Sequence, residues 1–175
     1  MWVFGYGSLI WDKWENKNGR RCMSSAWADL HGYRRVFNKR SVRNWGTRGR
    51  PCPTLNLEKV SSARCRGMAF EFQNNASFVD EILLYLRRRE GCEPHELPIQ
   101  IDGLGETNAL VYIYAGGNLI TENLTPEQLA EMAVGAKGRD GLCLNYIKGI
   151  AEELAARGID DPAVVDLWRA AQGIK

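Results

Sequence analysis

The sequence predicts an α+β fold whose core is a strongly bent antiparallel or mixed sheet. Two observations carry this. β-like runs come first along the chain, several with apolar and polar residues alternating as in Met68, Phe70 and Phe72, and the helix signals cluster after them. A third is size: 175 residues with 45% hydrophobic content support one sizeable core, so residues 1–175 read as a single domain.

Taken in order, Trp2 to Tyr6 is a short apolar strand ending in a Gly-Tyr-Gly-Ser turn, where the glycines beside Tyr6 permit backbone angles that other residues avoid. A loop follows from Asp12 to Ser25. Further β-like runs lie at Ala26 to Asn38, Thr54 to Val60, Arg64 to Phe72 and Ala109 to Ala115, about five strands in all. Lys39 to Pro53 reads as a long loop, which in a compact domain is more often functional than decorative. The first helix opens at Ser77 as N-cap, carries Phe78, Val79, Ile82, Leu83 and Leu86 at helical spacing, and stops at Gly91. A second starts at Thr125-Pro126-Glu127-Gln128, which combines an N-cap threonine, a first-turn proline and a capping-box glutamine. A third covers about Leu144 to Arg157, and a fourth runs from Asp161-Pro162 to about Ala171.

Several classes are excluded. No apolar stretch approaches the roughly 18 residues of a membrane span, and MWVFGYGSL lacks the basic region of a secretory signal, so a cytoplasmic protein with no membrane partner is expected. The five cysteines are odd in number and contain no C-x-x-C pair, which argues against a disulfide framework or zinc ribbon; they read as reduced and mostly buried. Two histidines, His31 and His95, are too few for a multi-histidine metal site, and no metal is expected.

Charge is unevenly distributed. Residues 1–50 hold eleven Lys/Arg against three Asp/Glu, and Arg34, Arg35, Lys39, Arg40, Arg43, Arg48 and Arg50 follow one another without an intervening acid. That segment is either a solvated loop and strand face or a site for an anionic small molecule. A sequence pI near 8.3 and the absence of a recognisable motif speak against a nucleic-acid partner.

Two segments could carry chemistry. At 100° per residue, Val79, Leu83 and Leu86 fall at about 0°, 40° and 340° around the first helix, and Glu90 falls at about 20°. Glu90 therefore continues the apolar stripe. Lost hydration and the negative end of the helix dipole both favour the protonated carboxyl there, as suits a general base. The alternative is a helix that frays before Glu90, letting it reach water or pair with Arg87 or Arg89. Glu81, at about 200°, belongs on the wet face. The second segment is the turn after the first strand, whose backbone N–H groups could hold a carboxylate or an oxyanion. It is neither a P-loop nor a dinucleotide fingerprint, and Ser8 is not in a nucleophile elbow. An ordinary tight turn with Tyr6 in the core is the competing reading.

FGYGSLIW at the amino terminus, a basic segment leading into PCPTLNLE, the CRGMAF strand and a helix closing in YLRRRE together resemble the ChaC-like group of the γ-glutamylcyclotransferase family, in order and spacing from Met1 to about Glu90. The resemblance implies a small mixed β-barrel with packed helices. It implies no cofactor, a small-molecule γ-glutamyl substrate, Glu90 as the acid/base, and substrate binding by Tyr6, Gly7, Ser8 and Leu9. Arg35, in the basic stretch, suits a substrate with two carboxylates, and Tyr146 stands near the place of a family tyrosine after Gly138-Arg139-Asp140. Glutathione is the leading substrate. Gly91-Cys92-Glu93-Pro94 departs from the family's Lys-Gly-Gly-Tyr, which keeps open another γ-glutamyl amide; a noncatalytic anion-binding module is the third reading.

Overall fold

The apolar run at the amino terminus becomes strand β1 (Trp2–Gly5), one stave of a closed five-stranded barrel in a computed structural model that describes residues 1–16 and 22–174. The other staves are β2 (Cys22–Ser41), β3 (Cys52–Phe72), β4 (Pro94–Ile101) and β5 (Gly105–Tyr112), in the order β1-β3-β2-β4-β5. β1 runs antiparallel to β3, with Trp2 opposite Glu71 and Gly5 opposite Met68, and parallel to β5, with Val3 opposite Leu110, so the barrel is mixed. Closure gives each of the five strands a neighbour on both sides. The helices are α1 (Ala76–Glu90), α2 (Pro126–Ala133), α3 (Cys143–Ala156) and α4 (Pro162–Gly173), and Lys137–Gly138 (β6) pairs with Gly141–Leu142 (β7).

The described residues group into two compact units. Met1–Arg34 with Leu57–Ala115 holds β1, α1, β4, β5 and the larger parts of β2 and β3; Arg35–Asn56 with Gly116–Lys175 holds α2, α3 and α4.

Five strands were expected and five close the barrel, but they are divided differently. Thr54 to Val60 and Arg64 to Phe72 are one strand, because the extended backbone carries on through Ser61, Ser62 and Ala63 between them. β4 was not foreseen: Pro94 and Pro98 interrupt it and only Ile99 and Ile101 are buried, which leaves too short an alternation to read. It pairs with β5 from Pro94 opposite Tyr112 to Ile101 opposite Gly105, across a turn in which Gly103 has φ 74°. β5 also starts and ends earlier than the expected Ala109 to Ala115. Within the expected loop from Asp12 to Ser25, Trp14–Asn16 is a 3₁₀ turn and β2 starts at Cys22; residues 17–21 lie outside the described residues.

The core of the first unit gathers Val3, Leu9, Trp14, Phe70, Phe72, Ile82, Leu86 and Tyr112. Gly67 permits the close approach of β3 to the end of β1, since a Cβ there would lie 2.5 Å from the Gly5 carbonyl oxygen and from the Phe4 ring. α1 is capped by Asn75, whose side chain accepts from Ser77 N–H at 3.2 Å, two residues before the expected cap. In the second unit α2 has the full Thr125/Gln128 capping box, and Asp161 caps α4.

One expectation about the cysteines is corrected. Cys52 and Cys143 form a disulfide between the start of β3 and the start of α3, while Cys22, Cys65 and Cys92 are free thiols. Sequence spacing carried no signal, because the bridge spans 91 residues and depends on the fold bringing two buried side chains together. Cross-linking so distant a pair limits the unfolded chain, so reduction is expected to cost about 2–4 kcal/mol. Unfolding by urea with and without dithiothreitol measures this, and equal midpoints would show that the bridge contributes nothing.

Candidate active site

The turn after β1 is built by local bonds. Gly7 precedes a 3₁₀ turn over Ser8–Ile10; Ile10 N–H donates to Gly7 O at 3.0 Å and Asp12 N–H to Ser8 O at 3.1 Å. Leu9 is buried in the first unit's core, and the Tyr6 hydroxyl donates to the Tyr112 carbonyl oxygen on β5 at 2.6 Å. Tyr6 thus anchors the turn to the barrel with its side chain.

α1 continues through Glu90 instead of fraying. Gly91 ends it at φ 74°, its N–H donating to Arg87 O at 2.8 Å. Glu90 stands one turn after the fully buried Leu86, with its side chain 19% exposed, whereas Glu81 is exposed on the other face as its helical angle required.

Arg89 joins the two segments. Its Nη2 donates to Ser8 Oγ at 2.7 Å and meets Asp12 Oδ2 at 2.5 Å, its Nη1 donates to Tyr85 Oη at 3.0 Å, and its Nε lies 3.4 Å from Glu90 Oε1. Burial opposes the guanidinium charge, but the Glu90 and Asp12 carboxylates outweigh it and hold the group above its ordinary range. Asp12 is fixed in turn by accepting from Trp14 N–H at 3.0 Å, and the Trp14 ring stacks on Tyr85 with centroids 6.0 Å apart. A planar fork with five donors can make these contacts at once, which an ammonium could not. The outcome is a carboxylate held beside a backbone turn by a charge that is itself held from two sides.

The structure therefore brings Tyr6, Gly7, Ser8, Leu9 and Glu90 into one unit and ties Ser8 to Glu90 through one residue. Arg35 and Tyr146 belong to the second unit. The buried Arg35 donates to Asp161 at 2.9 Å, bracing the α4 cap, and the buried Tyr146 hydroxyl accepts from Leu55 N–H at 3.0 Å while its ring packs on Trp45. In the basic segment Arg34 pairs with Glu58 and Arg40 with Glu122, and Arg48 is exposed. Among the described residues no group of three His, Cys, Asp or Glu side chains could hold a metal ion, and no helix is long and apolar enough to cross a membrane. Sequence reasoning missed Asp12, Tyr85 and Tyr112. On sequence alone Arg89 is a possible partner of Glu90; its link to the turn 81 residues earlier leaves no local trace.

Both the sequence and the barrel have known counterparts. The family model described as "ChaC-like protein" matches residues 1–172. A Gamma-glutamylcyclotransferase 2-3 from Arabidopsis thaliana is 34% identical over 179 residues, covering 95% of this chain and 86% of that protein. A glutathione-specific gamma-glutamylcyclotransferase from Escherichia coli (strain K12) is 28% identical over 172 residues, covering 95% and 71%. Among solved structures, a yeast γ-glutamyl cyclotransferase specific to glutathione superposes with a TM-score of 0.82 at 18% identity, covering 98% of this chain and 95% of that one, a likeness of fold. The chain belongs to the ChaC-like family.

Proposed function

We propose that this chain is a γ-glutamylcyclotransferase that cleaves glutathione to 5-oxoproline and cysteinylglycine. The observation that carries the reading is the junction at Arg89, which holds the Ser8 turn and the Glu90 carboxylate as one assembly. The names of the similar proteins from Arabidopsis and Escherichia coli support the same chemistry.

In the reaction the substrate's α-amine attacks its own γ-carbonyl carbon. One C–N bond forms to close the five-membered ring, and the original amide C–N bond breaks. The α-nitrogen sheds two protons on its way from ammonium to lactam N–H: Glu90 takes the first, which makes the amine nucleophilic, and passes it to the departing nitrogen, and the second, released once the ring has closed, completes the ammonium group of the freed amine, so the carboxylate ends as it began. Gly7, Ser8 and Leu9 hold the γ-glutamyl group through backbone N–H groups, and Tyr6 keeps them in place by its bond to β5. Nucleophile and electrophile share one molecule, so holding the ring-closing conformer is a large part of the task.

A second reading keeps the chemistry and changes the amine released. It is favoured by the segment after Glu90, where Gly91-Cys92-Glu93-Pro94 leads into β4 and Glu93 is drawn to Arg87 at 2.7 Å. Incubation with glutathione and a panel of other γ-glutamyl amides, followed by mass spectrometry, separates the two. Glutathione is expected to give 5-oxoproline and cysteinylglycine in equal amounts. Release of 5-oxoproline from another amide alone would transfer the assignment, and none from any amide would refute the cyclotransferase reading.

A further inference from the structure

Tyr112 closes β5 in the first unit's core, where it shares one apolar cluster with Leu9 of the turn and with Leu86, one helical turn before Glu90. Its register partner is Pro94, four residues beyond Glu90, and its carbonyl oxygen accepts from Tyr6. The residue is 1% exposed, yet its hydroxyl makes no hydrogen bond to any group among the described residues. A buried phenol without a partner destabilises a core that phenylalanine would fill equally well. Packing therefore does not explain the oxygen.

Of the charges that act on this hydroxyl, Glu90 acts most strongly, ahead of Arg87, Cys92 and Glu93. Burial first, and the Glu90 charge next, keep the phenol protonated far above ordinary pH, so it is always available as a donor. Glu90 in turn meets Arg89 at 3.4 Å, an ion-pair distance longer than a charge-assisted hydrogen bond.

We infer that the Tyr112 hydroxyl is a positioning group for Glu90, donating a hydrogen bond to its carboxylate in the reacting complex and fixing the oxygen that takes the substrate's proton. This rests on the reading of Glu90 as the acid/base. It assigns Tyr112 two tasks on one residue: its carbonyl oxygen anchors the turn and its hydroxyl aligns the carboxylate.

The test is Tyr112→Phe, compared with the wild type for kcat, KM and thermal midpoint on whichever γ-glutamyl amide the wild type cleaves. The expected result is a kcat lower by ~10–100-fold, as for loss of one hydrogen bond to a charged group, with KM changed less than about threefold because substrate binding is untouched. The thermal midpoint is expected to stay level or rise. An unchanged kcat overturns the inference. A fallen midpoint overturns it in favour of a structural role, and a raised KM at constant kcat does so in favour of direct substrate contact. A wild type that releases no 5-oxoproline from any γ-glutamyl amide refutes the cyclotransferase reading and this inference with it, whereas an active wild type with an equally active Tyr112→Phe refutes this inference alone.

Discussion

Glu90→Gln is expected to reduce 5-oxoproline formation by ~10²–10⁴-fold, the range over which a positioned general acid or base acts. The amide keeps the size and reach of the carboxyl but can neither accept the α-ammonium proton nor pass it to the leaving nitrogen. The fold should tolerate the change, because the side chain is 19% exposed and Arg89 keeps Asp12 as an ionic partner. Rates measured with saturating substrate, beside circular dichroism of both proteins, check this. A glutamine variant that retains activity within a few-fold would remove Glu90 from the proton transfer and return the weight to the turn alone.

The second large effect is at Arg89. Arg89→Met keeps most of the side-chain volume but withdraws the guanidinium from Asp12, Ser8, Tyr85 and Glu90 together. Asp12 is 14% exposed and Arg89 12%, so solvent screens the loss poorly and an uncompensated carboxylate stays near the core. Breaking a buried pair in this way costs about 3–5 kcal/mol. Urea unfolding followed by Trp fluorescence reads the loss, and activity should fall with it, since the turn and Glu90 no longer share a support. Arg87→Met is the control: Arg87 and Glu93 are 47% and 72% exposed, and an exposed pair contributes only about 0–1 kcal/mol. If the two variants unfold at the same urea concentration, Arg89 is an ordinary surface charge and the account of the junction fails.

The sequence by itself determined what is decided over short distances. The 3.6-residue period placed Glu90 on the apolar stripe of α1, and the structure carries the helix to that residue before Gly91 ends it. The Thr125 cap was legible for the same reason: it is a bond between a side chain and a backbone group three residues away. The family motifs led to the expectation of a small mixed barrel, which the structure has.

Only the tertiary structure decided what depends on distant partners. β4 holds its place by pairing with β5, which no alternation of its own announces. The Cys52–Cys143 bridge, the Arg89–Ser8 bond and the Arg35–Asp161 pair join residues 91, 81 and 126 positions apart. A side chain's type and neighbours along the chain say what it can bond, but burial and the closing of the barrel select which bond forms. Arg35 shows this most plainly: its charge suggested an anion-binding residue, and folding buried that charge against Asp161, where an unpaired guanidinium could not remain.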